Sequence, residues 1–166
     1  MIASLVGSEM CIRDRLKVGP LYSDQVPLGE HVLARTNSAG TEFPYMINIP
    51  QDYDPQRKWP VEFVLHGGVG RPKAAAGENF WQRSLDRIGQ PGRITVVPLA
   101  WPEAVWWQDE QADNLVAILN RLKSTYNVDE NQVSLTGISD GGTGAYFYAF
   151  KPVSYTHLTL PTIALV

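Results

Sequence analysis

The stretch Leu135–Phe147, LTGISDGGTGAYF, decides how the rest of the chain is read. At its centre Gly137-Ile138-Ser139-Asp140-Gly141 has the pattern G-x-S-x-G. The run before it, VSLTGI (Val133–Ile138), reads as a buried strand, and Gly141–Phe150 reads as a helix despite its glycines. A strand that turns tightly into a helix strains the turn residue and lifts its side chain above the sheet. Gly137 and Gly141 leave room where backbone and helix crowd. The helix N-terminus adds positive potential beside the serine. Ser139 is therefore expected to be a nucleophile. The alternative is a glycine-rich turn with an incidental serine. A serine nucleophile also needs a histidine to take its proton and an acid to orient that histidine.

Upstream, the pattern repeats the same kind of unit. Val61–Leu65 (VEFVL) and Ile94–Leu99 (ITVVPL) are short apolar runs that fit buried strands of a parallel sheet. Glu42–Pro50 (EFPYMINIP) alternates in part and is a further strand. Glu78–Ile88 is expected to be a helix stopped by Gly89 and Pro91. Asp109–Tyr126 carries Leu115, Ile118, Leu119, Leu122 and Tyr126 at helical spacing. Leu16–Pro27 is polar and punctuated by Pro and Gly, a lead-in segment. Alternating strands and helices define an α/β fold, a mostly parallel sheet with flanking helices. Ligands of such sheets bind at the carboxyl ends of the strands. The motif His66-Gly67-Gly68 and the Ser139 turn both fall at such ends, so they should be neighbours.

Acyl transfer develops negative charge on a carbonyl oxygen and needs backbone N–H donors aimed at it. The residue after the nucleophile supplies one, here Asp140, and the loop after an earlier strand supplies the other. Gly68 is the expected second donor, ahead of Gly67 and Val69. The Asp140 side chain is expected at the rim of the pocket or as a cap of its helix. His66 is expected to order the loop rather than to act as the base. Trp101, Trp106 and Trp107 follow the ITVVPL strand on the same face. They form either an apolar wall for substrate, with Trp106 and Trp107 as its binding residues, or the packing of a long loop.

Together the segments YMINIPQDYDPQRKWPVEFVLHGG and YNVDENQVSLTGISDGGTGAYFYA resemble the α/β-hydrolase superfamily. Within it they look most like the esterase and polyester-depolymerase-like group. Phospholipase/carboxylesterase and prolyl-oligopeptidase-type domains are close by. The resemblance covers about Glu42–Phe150. It implies an α/β-hydrolase fold and a serine hydrolase acting on carboxylic esters through an acyl-enzyme. No cofactor is expected. The resemblance also implies an acid and a histidine downstream of Ser139. No Asp or Glu follows Asp140, and the one later histidine is His157. The chain is therefore expected to lack the C-terminal part of the domain and to be inactive alone. A prolyl-oligopeptidase-type peptidase and a catalytically silent binding module of the same fold are the rival readings.

The two ends read as foreign. Val153–His157 (VSYTH) can be written GTC TCT TAT ACA CAT, whose reverse complement encodes Met-Cys-Ile-Arg-Asp, the sequence of Met10–Asp14. One DNA segment in two orientations explains both ends, as in a sequencing-library adapter translated at each end of an assembled read. Residues 1–15 and 153–166 are thus expected to be adapter-like scars, leaving 16–152 as the N-terminal portion of a catalytic domain. On that reading the true N-terminus is missing and the sequence assigns no compartment.

The bulk properties exclude other classes. The chain has 166 residues, 44% hydrophobic and 19% charged, with a net charge of −3. That is an ordinary globular composition, without the basic face that nucleic-acid binding needs. No apolar run reaches the roughly 18 residues of a membrane span. GGVGRPK (Gly67–Lys73) lacks phosphate-loop spacing. His31 and His66 have no companions at metal-ligand spacing. The expected partner is a small-molecule ester or peptide.

Overall fold

The computed structural model describes residues 22–73 and 91–150. The expected helix Glu78–Ile88 and the two ends expected to be adapter-like, 1–15 and 153–166, lie outside the described residues. Five strands form one sheet: β1 (Gly29–Thr36), β2 (Glu42–Ile49), β3 (Trp59–Leu65), β4 (Ile94–Pro98) and β5 (Val128–Gly137). Two helices are described, α1 (Asp109–Thr125) and α2 (Asp140–Phe150). The order across the sheet is β1-β2-β4-β3-β5. β3 runs parallel to both β4 and β5, while β1 and β2 pair antiparallel and β2 joins β4 antiparallel.

The central strands form where the chain is apolar without interruption. Every residue of β4 is buried, as is every residue of β3 except Pro60. Alternate side chains then feed two layers. On one face Val61, Phe63 and Leu65 of β3 join Ile94 and Val96 of β4, Val133 and Leu135 of β5, and Leu115, Ile118, Leu119 and Leu122 of α1. Each such buried side chain contributes about 1.5–3 kcal/mol relative to exposure. Val64 and Val97 point the other way and gather Phe43, Met46, Leu99 and Trp101 into a second cluster.

α1 follows from its apolar stripe. Asp109 and Glu110 sit in its first turn and Lys123 in its last, charges that suit the helix dipole. It stops where Tyr126 turns extended, with its N–H donating to Leu122 O at 2.7 Å. β1 has no counterpart among the expected strands. Its residues alternate between half-buried and exposed and none is buried, as befits a sheet edge. β5 begins five residues earlier than the apolar run VSLTGI. Its polar start, Val128–Gln132, is accommodated by a register shift opposite Trp59–Val61. Among the described residues no helix is long and apolar enough to cross a membrane.

Candidate active site

The pairing of β3 with β5 builds the site. It runs in register to its last pair, Leu65 with Gly137, so the two strands end side by side. The chain after β3 enters His66-Gly67-Gly68 beside the point where the chain after β5 enters Ile138-Ser139. Ile138 N donates to Leu65 O at 3.2 Å, carrying the pairing one residue past the strand end.

Ser139 then stands alone between strand and helix. It is exposed, and with φ of 54° it is the non-glycine residue of positive φ among the described residues. Such a conformation costs an L-residue about 1–3 kcal/mol and persists only where the surroundings impose it. The surroundings here are glycines. A Cβ at Gly137 would lie 2.3 Å from the Gly141 carbonyl, and one at Gly141 would lie 1.9 Å from Leu65 O. A Cβ at Gly67 would lie 2.9 Å from Ser139 Cβ. Strand, turn and helix can approach this closely only without side chains. Gly141 N donates to Ile138 O and Thr143 N to Ser139 O, which close the turn into the first turn of α2.

The loop after β3 is held by its own network. His66 is 2% exposed. Its Nε2 lies 3.0 Å from Ala100 N, and its Nδ1 lies 2.8 Å from Gly67 O. The amide of Ala100 can only donate and the carbonyl of Gly67 can only accept, so the ring is neutral with its proton on Nδ1. Burial pushes its pKa below the usual histidine value; the Gly67 carbonyl and the Asp140 charge oppose that, and Arg71 adds to it. Both nitrogens are engaged with backbone, so His66 orders the loop and is not placed to deprotonate Ser139.

Trp106 is wholly buried. Its ring meets His66 edge-on at 5.1 Å and its Nε1–H donates to His66 O at 2.9 Å. Its carbonyl accepts the hydroxyl of Tyr148 from α2. A Cβ at Gly144 would lie 2.5 Å from Trp106 Cβ, so α2 presents a glycine where the indole crosses it. Trp106 is therefore a strut between loop and helix, which fits the packing alternative of the two expected for it. Trp101 is also buried, packed on Phe43 with the Lys73 ammonium over its ring at 4.4 Å. Trp107, 41% exposed, is the one of the three with ring surface to offer.

The expected amides meet a group that the spacing did not reveal. Gly68 N and Val69 N both donate to Asp140 Oδ2, at 2.8 and 3.1 Å. The Asp140 side chain thus crosses to the other loop instead of capping α2. The amide of Gly68 lies beside the Ser139 turn, with its N–H aimed at this carboxylate. The one signal for it in the sequence is an acidic residue directly after the serine.

The order β1-β2-β4-β3-β5, the parallel centre and the sharp turn after β5 define an α/β-hydrolase fold, and comparison with solved structures agrees. The chain is similar to a thermostable esterase, with 23% identity and a TM-score of 0.59 over 78% of this chain and 38% of that one. It is similar to a poly(3-hydroxybutyrate) depolymerase, LpqC, from Bordetella parapertussis, with 21% identity and a TM-score of 0.51 over 71% of this chain and 45% of the other. Esterase 2 of Thermogutta terrifontis, phosphorylated by paraoxon, matches with 16% identity and a TM-score of 0.58 over 82% and 56%. The chain therefore spans between 38% and 56% of the length of these structures. No family model and no curated protein matches.

Proposed function

We propose that the chain is the N-terminal portion of a serine hydrolase that cleaves carboxylic esters, with Ser139 as nucleophile. The observation that carries this reading is the positive φ of an exposed serine between a parallel strand and a helix, enforced by glycines that no other residue could replace. Fold strain of that kind, at the carboxyl end of a parallel strand, is the arrangement an activated serine needs.

In the proposed reaction Ser139 Oγ attacks the ester carbonyl carbon while a base takes its proton. The carbonyl oxygen becomes an oxyanion held by Asp140 N–H and Gly68 N–H. The C–O bond to the alcohol then breaks, the alcohol leaves with the proton, and water hydrolyses the acyl-enzyme by the same steps. His66 is already committed to backbone; the resemblance to α/β-hydrolases implies that the base and its acid follow Ser139, in a longer chain. Trp107 offers the apolar surface for the acyl or alcohol group. The esterase likeness favours ester over peptide substrates.

The test is labelling with a fluorophosphonate probe. A longer protein that continues this sequence should be labelled at Ser139, should hydrolyse p-nitrophenyl acetate, and should lose both on Ser139→Ala. A longer protein that folds but takes no label is a silent binding module.

A further inference from the structure

We propose that Gly68 and Val69 form an anion-binding nest whose resident anion is the protein's own Asp140 carboxylate, and that an external carboxylate or tetrahedral oxyanion enters by displacing it. The catalytic meaning of this rests on the Ser139 reading; the nest itself does not.

Two consecutive N–H groups converge on one oxygen, Asp140 Oδ2, at 2.8 and 3.1 Å. The left-handed conformation of Gly68, φ 74°, turns the two amides to the same side. Successive amides in such a turn make a concave anion site. The partner is not a local turn contact, because Asp140 lies 72 and 71 residues away in sequence. Positive charge is close: a Cβ on Gly68 would lie 3.5 Å from Arg71 Nε. Gly68 and Asp140 are only half-buried, so the carboxylate can leave toward solvent and an external anion can arrive.

The amide that an ester oxyanion needs is therefore filled in the resting protein by a tethered anion. An external oxyanion has the same chemistry as the group it replaces, and it competes with a carboxylate whose effective concentration is set by its tether. The apparent affinity for external anions is lowered by the fraction of time the nest is open. Asp140 is then a self-cap on the nest, separate from the backbone N–H that the same residue contributes.

The experiment is an amide titration of this chain, ¹⁵N-labelled, with acetate and with inorganic phosphate at constant ionic strength. In the wild type the Gly68 and Val69 amides should be protected from exchange and should move little with either anion. In Asp140→Ala they should exchange faster, and acetate should shift them and restore protection, with binding on the order of tenfold tighter than to the wild type. Asp140→Asn keeps the shape without the charge and should fall between the two; it carries the test if the alanine variant does not fold. Equal response in wild type and variants overturns the proposal, as does silence at Gly68 and Val69 in a variant whose remaining spectrum overlays. Phosphate shifting the nest in Asp140→Ala more than in the wild type supports the displacement as well, since it is a tetrahedral oxyanion. Nothing in this measurement uses Ser139. Loss of fluorophosphonate labelling in a longer protein would remove the hydrolase reading and leave the nest, and silent amides would do the reverse.

Discussion

The Nε2 atom of His66 accepts the backbone N–H of Ala100 at 3.0 Å, tying the loop after β3 to the end of β4. The bond requires a neutral ring, because protonation at Nε2 would set two donors against each other. Burial holds the folded-state pKa below the usual value. The unfolded chain thus protonates first, near pH ~6.5. Below that pH the unfolded state binds more protons, so stability falls as pH drops toward the folded pKa and is fully present above ~6.5. Urea unfolding at pH 7.5, 6.5 and 5.5 should show this decline, with a slope of at most about 1.4 kcal/mol per pH unit from this one proton. His66→Gln should be less stable at pH 7.5 and show a shallower decline. Parallel pH profiles for the two proteins would remove His66 as the cause.

Gly141 carries the tightest approach in the site, 1.9 Å from a would-be Cβ to the backbone oxygen of Leu65. Backbone on both sides cannot yield as a flexible side chain would. Gly141→Ala should cost more than about 4 kcal/mol or abolish cooperative unfolding. Gly70 has open space around its missing Cβ and no left-handed φ. Gly70→Ala should stay within about 0.5–1 kcal/mol of wild type and can be stabilising. Similar losses in both variants would mean that helix packing at β3 is not the constraint.

How much of this could be read from the sequence follows the range of the interaction. β3 and β4 are uninterrupted apolar runs, and the stripe of α1 is periodic, so local pattern suffices for them. β1 shows no such signal, because an edge strand with no buried residue need not be apolar. The polar start of β5 is hidden for the same reason. At the site, Ser139 and its glycines lie within five residues and announce themselves. The bond from Asp140 to Gly68 and Val69 spans more than 70 residues and depends on where two loops meet in space. Trp106 and Trp107 are adjacent in sequence, yet one is wholly buried and the other exposed. Gly144, which has no Cβ opposite Trp106, leaves room for the buried indole.

Trp106 makes its hydrogen bond to His66 O in a dry place, with both residues buried. Trp106→Phe should keep most of the packing and leave that carbonyl without its donor. A buried acceptor stranded in this way costs about 1–3 kcal/mol. Chemical denaturation should give a loss in that range. The His66–Ala100 bond lies beside the same contact, so the amide exchange of Ala100 should accelerate as well. A loss below about 0.5 kcal/mol would place the donor's role in water or elsewhere.

Ser139 supplies the sharpest test of strain. Its φ of 54° lies in the left-handed region that L-residues avoid. Removing only the hydroxyl leaves the Cβ and hence the strain, so Ser139→Ala should unfold close to wild type. Ser139→Gly removes the Cβ and the clash it makes with its own backbone, worth about 1–2 kcal/mol. Against this stands the greater freedom of glycine in the unfolded chain, about 0.4–1 kcal/mol. The balance favours glycine, so Ser139→Gly should be more stable than Ser139→Ala by up to about 1 kcal/mol. In most positions the order is the reverse. If Ser139→Ala is the more stable of the pair, the turn is not strained, and the observation on which the nucleophile assignment rests fails with it.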